Sequence, residues 1–146
     1  MVGALRGGRD QPEVAAPHGL ADLERLATDS SDSLRVDLEL RGDLGELSPA
    51  LEAALFRVAQ ESVTNARRHA RRATRIEIDV SGSATDVHMR VSDDGARTDP
   101  ARHAIGYGLV GMTERVSLLG GTLTAGPKPD RGWSVQATLP RNGRAL

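Results

Sequence analysis

From Ser48 to about Ala70 the chain carries one unbroken helical pattern, and the apolar face of that helix constrains everything around it. Ser48 is placed as N-cap and Pro49 at the first helical position, where its missing N–H costs nothing, with Glu52 close by. Taking about 100° per residue and setting Glu61 at zero, Leu51, Leu55, Val58, Ala59, Ser62, Val63, Ala66 and Ala70 fill an arc from roughly 60° to 200°. Arg57, Gln60, Thr64, Arg67 and Arg68 fall on the opposite, wet side. Glu61, Asn65 and His69 follow one another at i, i+4, i+8 and form a polar line that runs into the edge of the apolar stripe.

The partner surface for that stripe is read from short alternating runs. Val36, Leu38 and Leu40 alternate with Asp37, Glu39 and Arg41 as in a half-buried strand. Arg75 to Val80 and Asp86 to Ser92 read as two more strands, separated by the turn-prone Ser81-Gly82-Ser83. Thr122 to Ala125 and Ser134 to Leu139 read as a final pair around Gly126 to Gly132. Leu20, Leu23 and Leu26 mark a short first helix, and a later one runs from about Leu109 to Leu119, ending at Gly120-Gly121. Hairpin-like strands with only two substantial helices predict an α+β fold, a mixed sheet with helices on one face, and exclude a doubly wound parallel sheet. Residues 1–19 read as a linker or tail, 20–140 as the domain and 141–146 as a C-terminal tail.

Composition narrows the chemistry. At 146 residues the chain fits one domain, and with no cysteine it has no disulfide, thiolate metal site or cysteine nucleophile. A net charge of −1 and only Phe56, Tyr107 and Trp133 as aromatics give neither a field nor a stacking platform for nucleic acid. Arg67-Arg68-His69-Ala70-Arg71-Arg72 is accordingly read as a solvated helix end, favourably placed at the negative end of its dipole, with Arg68 positioned to reach a phosphate. His18, His69, His88 and His103 lack zinc-site spacing. No apolar run is long enough to span a bilayer, so no membrane contact is expected of this domain, and the composition suits a reducing cytoplasm.

Three features carry chemistry. The amide oxygen of Asn65, one helical turn from the Glu61 carboxylate, suits Mg²⁺ when the other ligands are phosphates and water, and Glu61 can then orient or deprotonate a nucleophile. Asp93-Asp94-Gly95 follows a strand: a carboxylate there can accept from a purine amino group while glycine lets the ring approach, although Asp-Gly is equally an ordinary turn. Gly106-Tyr107-Gly108 immediately precedes a helix, whose free N–H groups and positive dipole end favour phosphate. The aperiodic stretch between them, about Ala96 to Ile105, reads as a lid.

In this order and spacing the three segments resemble the ATP-binding domain of bacterial sensor histidine kinases, in the superfamily shared with DNA gyrase and MutL. Gln60 to Ala70 is similar to that family's N box, Val91 to Gly95 to its first glycine box, and Gly106 to Val116 to its second. The run Gly108-Leu109-Val110-Gly111-Met112-Thr113-Glu114-Arg115-Val116 is most similar to the subfamily serving response regulators with a helix-turn-helix output domain. The resemblance implies a Bergerat-type two-layer α/β sandwich, mostly antiparallel, with ATP and Mg²⁺ held between the long helix and the lid. It implies Asn65 as Mg²⁺ ligand, Glu61 as catalytic residue, and Asp93 with Gly95 as the adenine site. Arg68, His69, Gly106, Gly108 and Leu109 would lie along the phosphates. The implied partners are a histidine-bearing dimerisation hairpin absent from this chain and a downstream response regulator, and the implied location is the cytoplasmic side, including that of a membrane-anchored sensor.

Two positions depart from the family pattern. Arg97 replaces the second glycine of the first box, and Gly132-Trp133 replaces a Gly-Thr pair before the last strand, which places Trp133 beside the adenine pocket. The rival readings are a sigma-factor-inhibiting serine kinase of the same superfamily and a nucleotide-free interaction module. The Gly108 to Val116 run counts against the first, and the intact Glu61, Asn65, Asp93, Gly106 and Gly108 against the second.

Overall fold

A computed structural model of the chain describes residues 19–28, 34–69, 72–96 and 109–141. The stretch read as a lid, from residue 97 onward, together with Gly106 and Gly108, lies outside them. Among the described residues the elements run, in chain order, α1 (Leu20–Thr28), β1 (Arg35–Gly42), α2 (Pro49–His69), β2 (Arg75–Gly82), β3 (Asp86–Asp93), α3 (Leu109–Leu118), β4 (Thr122–Pro127) and β5 (Trp133–Pro140).

The α2 start is set locally. Ser48 Oγ accepts a hydrogen bond from Leu51 N–H at 3.1 Å, satisfying one of the free donors of the first turn. Glu52 instead reaches across to the start of α1, where its Oε1 accepts from Leu20 N–H at 3.0 Å, so one carboxylate of α2 caps a neighbouring helix.

The five strands form one mixed sheet in the order β1-β2-β3-β5-β4. β1 lies parallel to β2, while β2–β3, β3–β5 and β5–β4 are antiparallel, giving the mostly antiparallel α+β sandwich expected. Period-2 alternation sends Ile76, Ile78 and Val80 of β2 to one face, beside Val87, Met89 and Val91 of β3 and Val135, Ala137 and Leu139 of β5, all buried. Register pins these rows: Ile78 lies opposite Val91, Val91 opposite Val135, and Met89 opposite Ala137. Over them lie Leu51, Leu55, Val58, Ala59, Val63 and Ala66 of α2, with Met112 and Val116 of α3, in one contiguous core. Ala54 and Phe56 are also buried, so the covered face of α2 is wider than its sequence arc, because α1 and α3 flank the helix as well as the sheet beneath it.

The outer face is charged. Asp37 accepts from Arg35 Nε at 2.8 Å and from Arg75 Nε at 2.6 Å, joining β1 to β2, and these two guanidinium groups hold its carboxyl below the usual carboxylate range.

The β2–β3 connection differs from expectation. Strand pairing continues through Ser81 and Gly82, and the turn is made by residues 83–85. Ser83 Oγ accepts from the N–H groups of Thr85 and Asp86, and Ser83 N–H donates to Asp86 O at 2.8 Å, an ST-type turn that moves the reversal past the glycine. Gly82 serves a different need: a Cβ there would stand 1.9 Å from the Asp43 carbonyl, so only glycine lets the β1–α2 loop pass. Arg141 closes the same corner, its guanidinium donating to Asp43 O at 2.6 Å, to Asp43 Oδ1 at 3.0 Å, and to the carbonyls of Ser83 and Gly45.

Candidate functional site

Asp93 ends β3 on the helix-facing row, directly continuing Val87, Met89 and Val91 and lying opposite Ile76. A carboxylate in that apolar row is 7% exposed. Burial pushes its pKa up, against the lowering effect of the backbone N–H groups of Gly95 and Trp133 and of the Lys128 charge. Gly95 N–H donates to Asp93 Oδ1 at 2.8 Å, and Gly95 is itself buried.

The chain reaches this arrangement through Gly132. Its φ is +86°, and a Cβ there would stand 2.0 Å from the Asp93 carbonyl oxygen, so only glycine allows the β4–β5 turn to run against the end of β3. The next residue, Trp133, thereby brings its backbone N–H to the Asp93 carboxylate. Arg131 reinforces the same approach, its Nε donating to Asp94 O at 2.8 Å.

Asp94, the other aspartate of the pair, has a different task. Its carboxylate accepts from Thr74 N–H at 2.8 Å, Thr74 Oγ1 at 2.6 Å and Arg75 N–H at 3.1 Å, stitching the exit of β3 to the entry of β2. Partial burial raises its pKa, but these donors outweigh that and carry it below the usual carboxylate value. Asp94 is an acceptor already spoken for, which leaves Asp93 as the aspartate turned to the interior.

Asp93, Asn65, Leu109 and Trp133 line one cleft between α2 and the sheet, together with Ser62, Ala66 and Val135. Three of the site residues expected from sequence, on three separate elements, thus meet at one place. Leu109 is the first residue of α3, so the amino end of that helix stands at the cleft. Glu61 is half-buried on α2 one turn before Asn65, and Arg68 is exposed on the same helix; neither lines the cleft. His69 is the last residue of α2, and its side chain, like Gly106 and Gly108, lies outside the described residues. Trp133 takes the lining position expected of it.

The site member missed in sequence is Ser62, which was absorbed into the apolar arc of α2. The available signal was a hydroxyl inside an otherwise aliphatic stripe. Its Oγ is buried and makes no hydrogen bond. Among the described residues no helix is long and apolar enough to cross a membrane, and no cluster of three or more His, Asp or Glu could hold a metal by protein ligands alone.

Comparison with known proteins agrees with this geometry. The chain is 33% identical over 97% of its length to the signal transduction histidine-protein kinase/phosphatase UhpB of Salmonella typhimurium, and 36% identical over 64% of its length to the corresponding protein DegS of Bacillus subtilis. It spans about a quarter of the length of these relatives, 27% and 25% respectively. The fold superposes on the histidine kinase domain of a blue-light activated histidine kinase from Erythrobacter litoralis with a TM-score of 0.68 at 21% identity, covering 84% of this chain and 62% of that one. Residues 50–143, from the first turn of α2 to just past β5, match the family described as histidine kinase-, DNA gyrase B- and HSP90-like ATPases, and the chain belongs to that family.

Proposed function

We propose that this domain binds Mg·ATP in the cleft between α2 and the sheet and presents the γ-phosphate to a histidine carried on a separate helical hairpin. The observation that carries the reading is the buried Asp93 carboxylate, held by two backbone N–H groups, in the same cleft as Asn65 and the amino end of α3. A carboxylate only accepts hydrogen bonds, and the adenine 6-amino group is a purine donor that suits it. The orphaned Ser62 hydroxyl is the further sign that the cleft is shaped for a polar guest.

From that anchor the remaining roles follow by reach. Asn65 supplies an amide oxygen to Mg²⁺, which when bound neutralises phosphate charge. The N-terminal end of α3, preceded by Gly106 and Gly108, offers backbone N–H groups to the phosphates. Arg68 and His69 lie one turn further along α2 from Asn65 and extend the phosphate track toward the helix end. Glu61 orients the incoming imidazole or accepts its proton. Catalysis rests on placement and charge neutralisation, since phosphoryl transfer asks little covalent chemistry of the protein.

Neither histidine within the described residues suits the acceptor role. His88 sits on β3 with its Nδ1 3.0 Å from Thr138 Oγ1, a strand position unlike a helical acceptor, and His69 belongs to the nucleotide site. The relatives' names as histidine-protein kinase/phosphatases favour histidine over serine as the acceptor, and the resemblance of the Gly108 to Val116 run points to a response regulator downstream. The test is radiolabelled ATP with the chain alone, with a separately expressed acceptor hairpin alone, and with both, scored for acid-labile, base-stable phosphate. Label should appear on the hairpin only when both are present and should vanish with Asn65→Ala. Stable label on this chain by itself, or hairpin labelling indifferent to Asn65→Ala, would overturn the proposal.

A further inference from the structure

Ser62 lies in the middle of α2, within the core stripe formed by Val58, Ala59, Val63 and Ala66, and is 6% exposed. A serine inside a helix usually turns its hydroxyl back to the carbonyl four residues earlier. Here the Oγ makes no such bond and has no partner at all. The residue borders the cleft that holds Asn65 and Asp93 and also a smaller recess behind it, which Asp93 and Trp133 share. The one orphaned buried hydroxyl among the described residues therefore stands where Asp93 meets the interior.

We infer that Ser62 is the second recognition group for the purine, donating to ring nitrogen N1 directly or through one water while Asp93 accepts from the neighbouring 6-amino group. This rests on the proposed nucleotide reading and deepens it. The Watson–Crick edge of adenine presents a donor and, beside it, an acceptor. Asp93 can answer only the donor, because a carboxylate has no proton to give. A hydroxyl can supply the missing one, and it reaches the same recess from the helix side while Asp93 reaches it from the strand side. The buried hydroxyl that no protein group satisfies is the one the purine satisfies.

The test is calorimetric titration of wild-type and Ser62→Ala protein with Mg·ATP, with inorganic triphosphate, and with 1-deaza-ATP, which keeps the amino group but lacks N1. One net hydrogen bond predicts about three- to tenfold weaker ATP binding by Ser62→Ala. Triphosphate affinity should not change, and 1-deaza-ATP should bind both proteins equally. The ligand-free variant should melt at the same temperature or higher, since it loses only an unsatisfied group. Unchanged ATP affinity in Ser62→Ala overturns the inference. An equal loss for ATP and 1-deaza-ATP overturns it too, by assigning Ser62 a packing role. Wild-type protein that binds ATP no better than triphosphate removes the purine pocket itself, and the Ser62 role with it.

Discussion

Replacing Asp94 by alanine should weaken the fold while sparing the nucleotide site, although Asp94 is the immediate neighbour of Asp93. Its carboxylate accepts three hydrogen bonds, from Thr74 N–H, Thr74 Oγ1 and Arg75 N–H, and these join the end of β3 to the start of β2. All three lie near solvent, so each contributes at the low end of the usual net value, about 0.5–1 kcal/mol, and their loss should cost roughly 1.5–3 kcal/mol. For a domain of this size that corresponds to a fall of about 5–10 °C in Tm. Asp94→Asn should cost less at neutral pH, because one oxygen still accepts. The pH dependence has a definite sign. The folded pKa of Asp94 lies below its ordinary value of 3.8, so its contribution is fully present above that value and is lost as pH falls through the folded pKa. The difference in Tm between wild type and Asp94→Asn should hold steady from pH 7 to about 5 and shrink in stronger acid. Thermal melts followed by circular dichroism test both statements. A Tm for Asp94→Ala within about 1 °C of wild type, or a gap that widens on acidification, would show that the Asp94 bonds do not hold β3 to β2.

Two other perturbations probe the corner behind the site and the site itself. Arg141→Ala should destabilise by about 1.5–3 kcal/mol in chemical denaturation, and Arg141→Lys should rescue only part of that, because a single ammonium cannot span the carbonyls of Asp43, Ser83 and Gly45 at once; full rescue by lysine would show that charge alone matters. Trp133 is the chain's single tryptophan and lines the cleft, so saturating with Mg·ATP should change its emission intensity or wavelength, whereas inorganic triphosphate should leave it largely unchanged; identical responses to the two ligands would place the purine away from Trp133.

How far the sequence could be read depended on whether each feature was local. The Ser48 cap, the Pro49 start and the Leu51 to Ala66 stripe are settled within a few residues of one another, and the structure places them as read. The alternation that defines β2, β3 and β5 is equally local, and so is the polar line from Glu61 to His69. The turn assigned to Ser81-Gly82-Ser83 was not local. Gly82 is required by the approach of Asp43, far away in sequence, and the true reversal is made by hydroxyl and backbone bonds of Ser83. Glu52 read as a signal for its own helix but caps α1 instead. The burial of Ala54 and Phe56 depends on flanking helices that periodicity alone does not reveal. In the site, adjacency in sequence hid a division of labour: only tertiary contacts show Asp94 bound to Thr74 and Arg75 while Asp93 turns inward. Ser62 was visible as a polar residue in an apolar stripe, yet its lack of a partner is a fact of three dimensions.

Asp93 is the proposed adenine anchor, and calorimetric titration of Asp93→Asn with Mg·ATP and, in parallel, with inorganic triphosphate tests that role. Burial raises the Asp93 pKa, so between its unfolded value and that raised value stability falls as pH rises, and at neutral pH the ionised carboxylate costs folding free energy. The neutral amide relieves this cost, and the variant should stay folded with a Tm equal to or above wild type. It should nevertheless lose ATP affinity, because an amide can turn its own NH₂ toward the adenine amino group where the carboxylate could only accept. A hydrogen bond to a charged acceptor is worth about 1.5–3 kcal/mol, which predicts roughly 10- to 100-fold weaker ATP binding. Triphosphate affinity should remain within about twofold of wild type, since nothing at the phosphate end has changed. Equal losses for ATP and triphosphate, or ATP affinity untouched in a folded Asp93→Asn protein, would remove Asp93 from the adenine site.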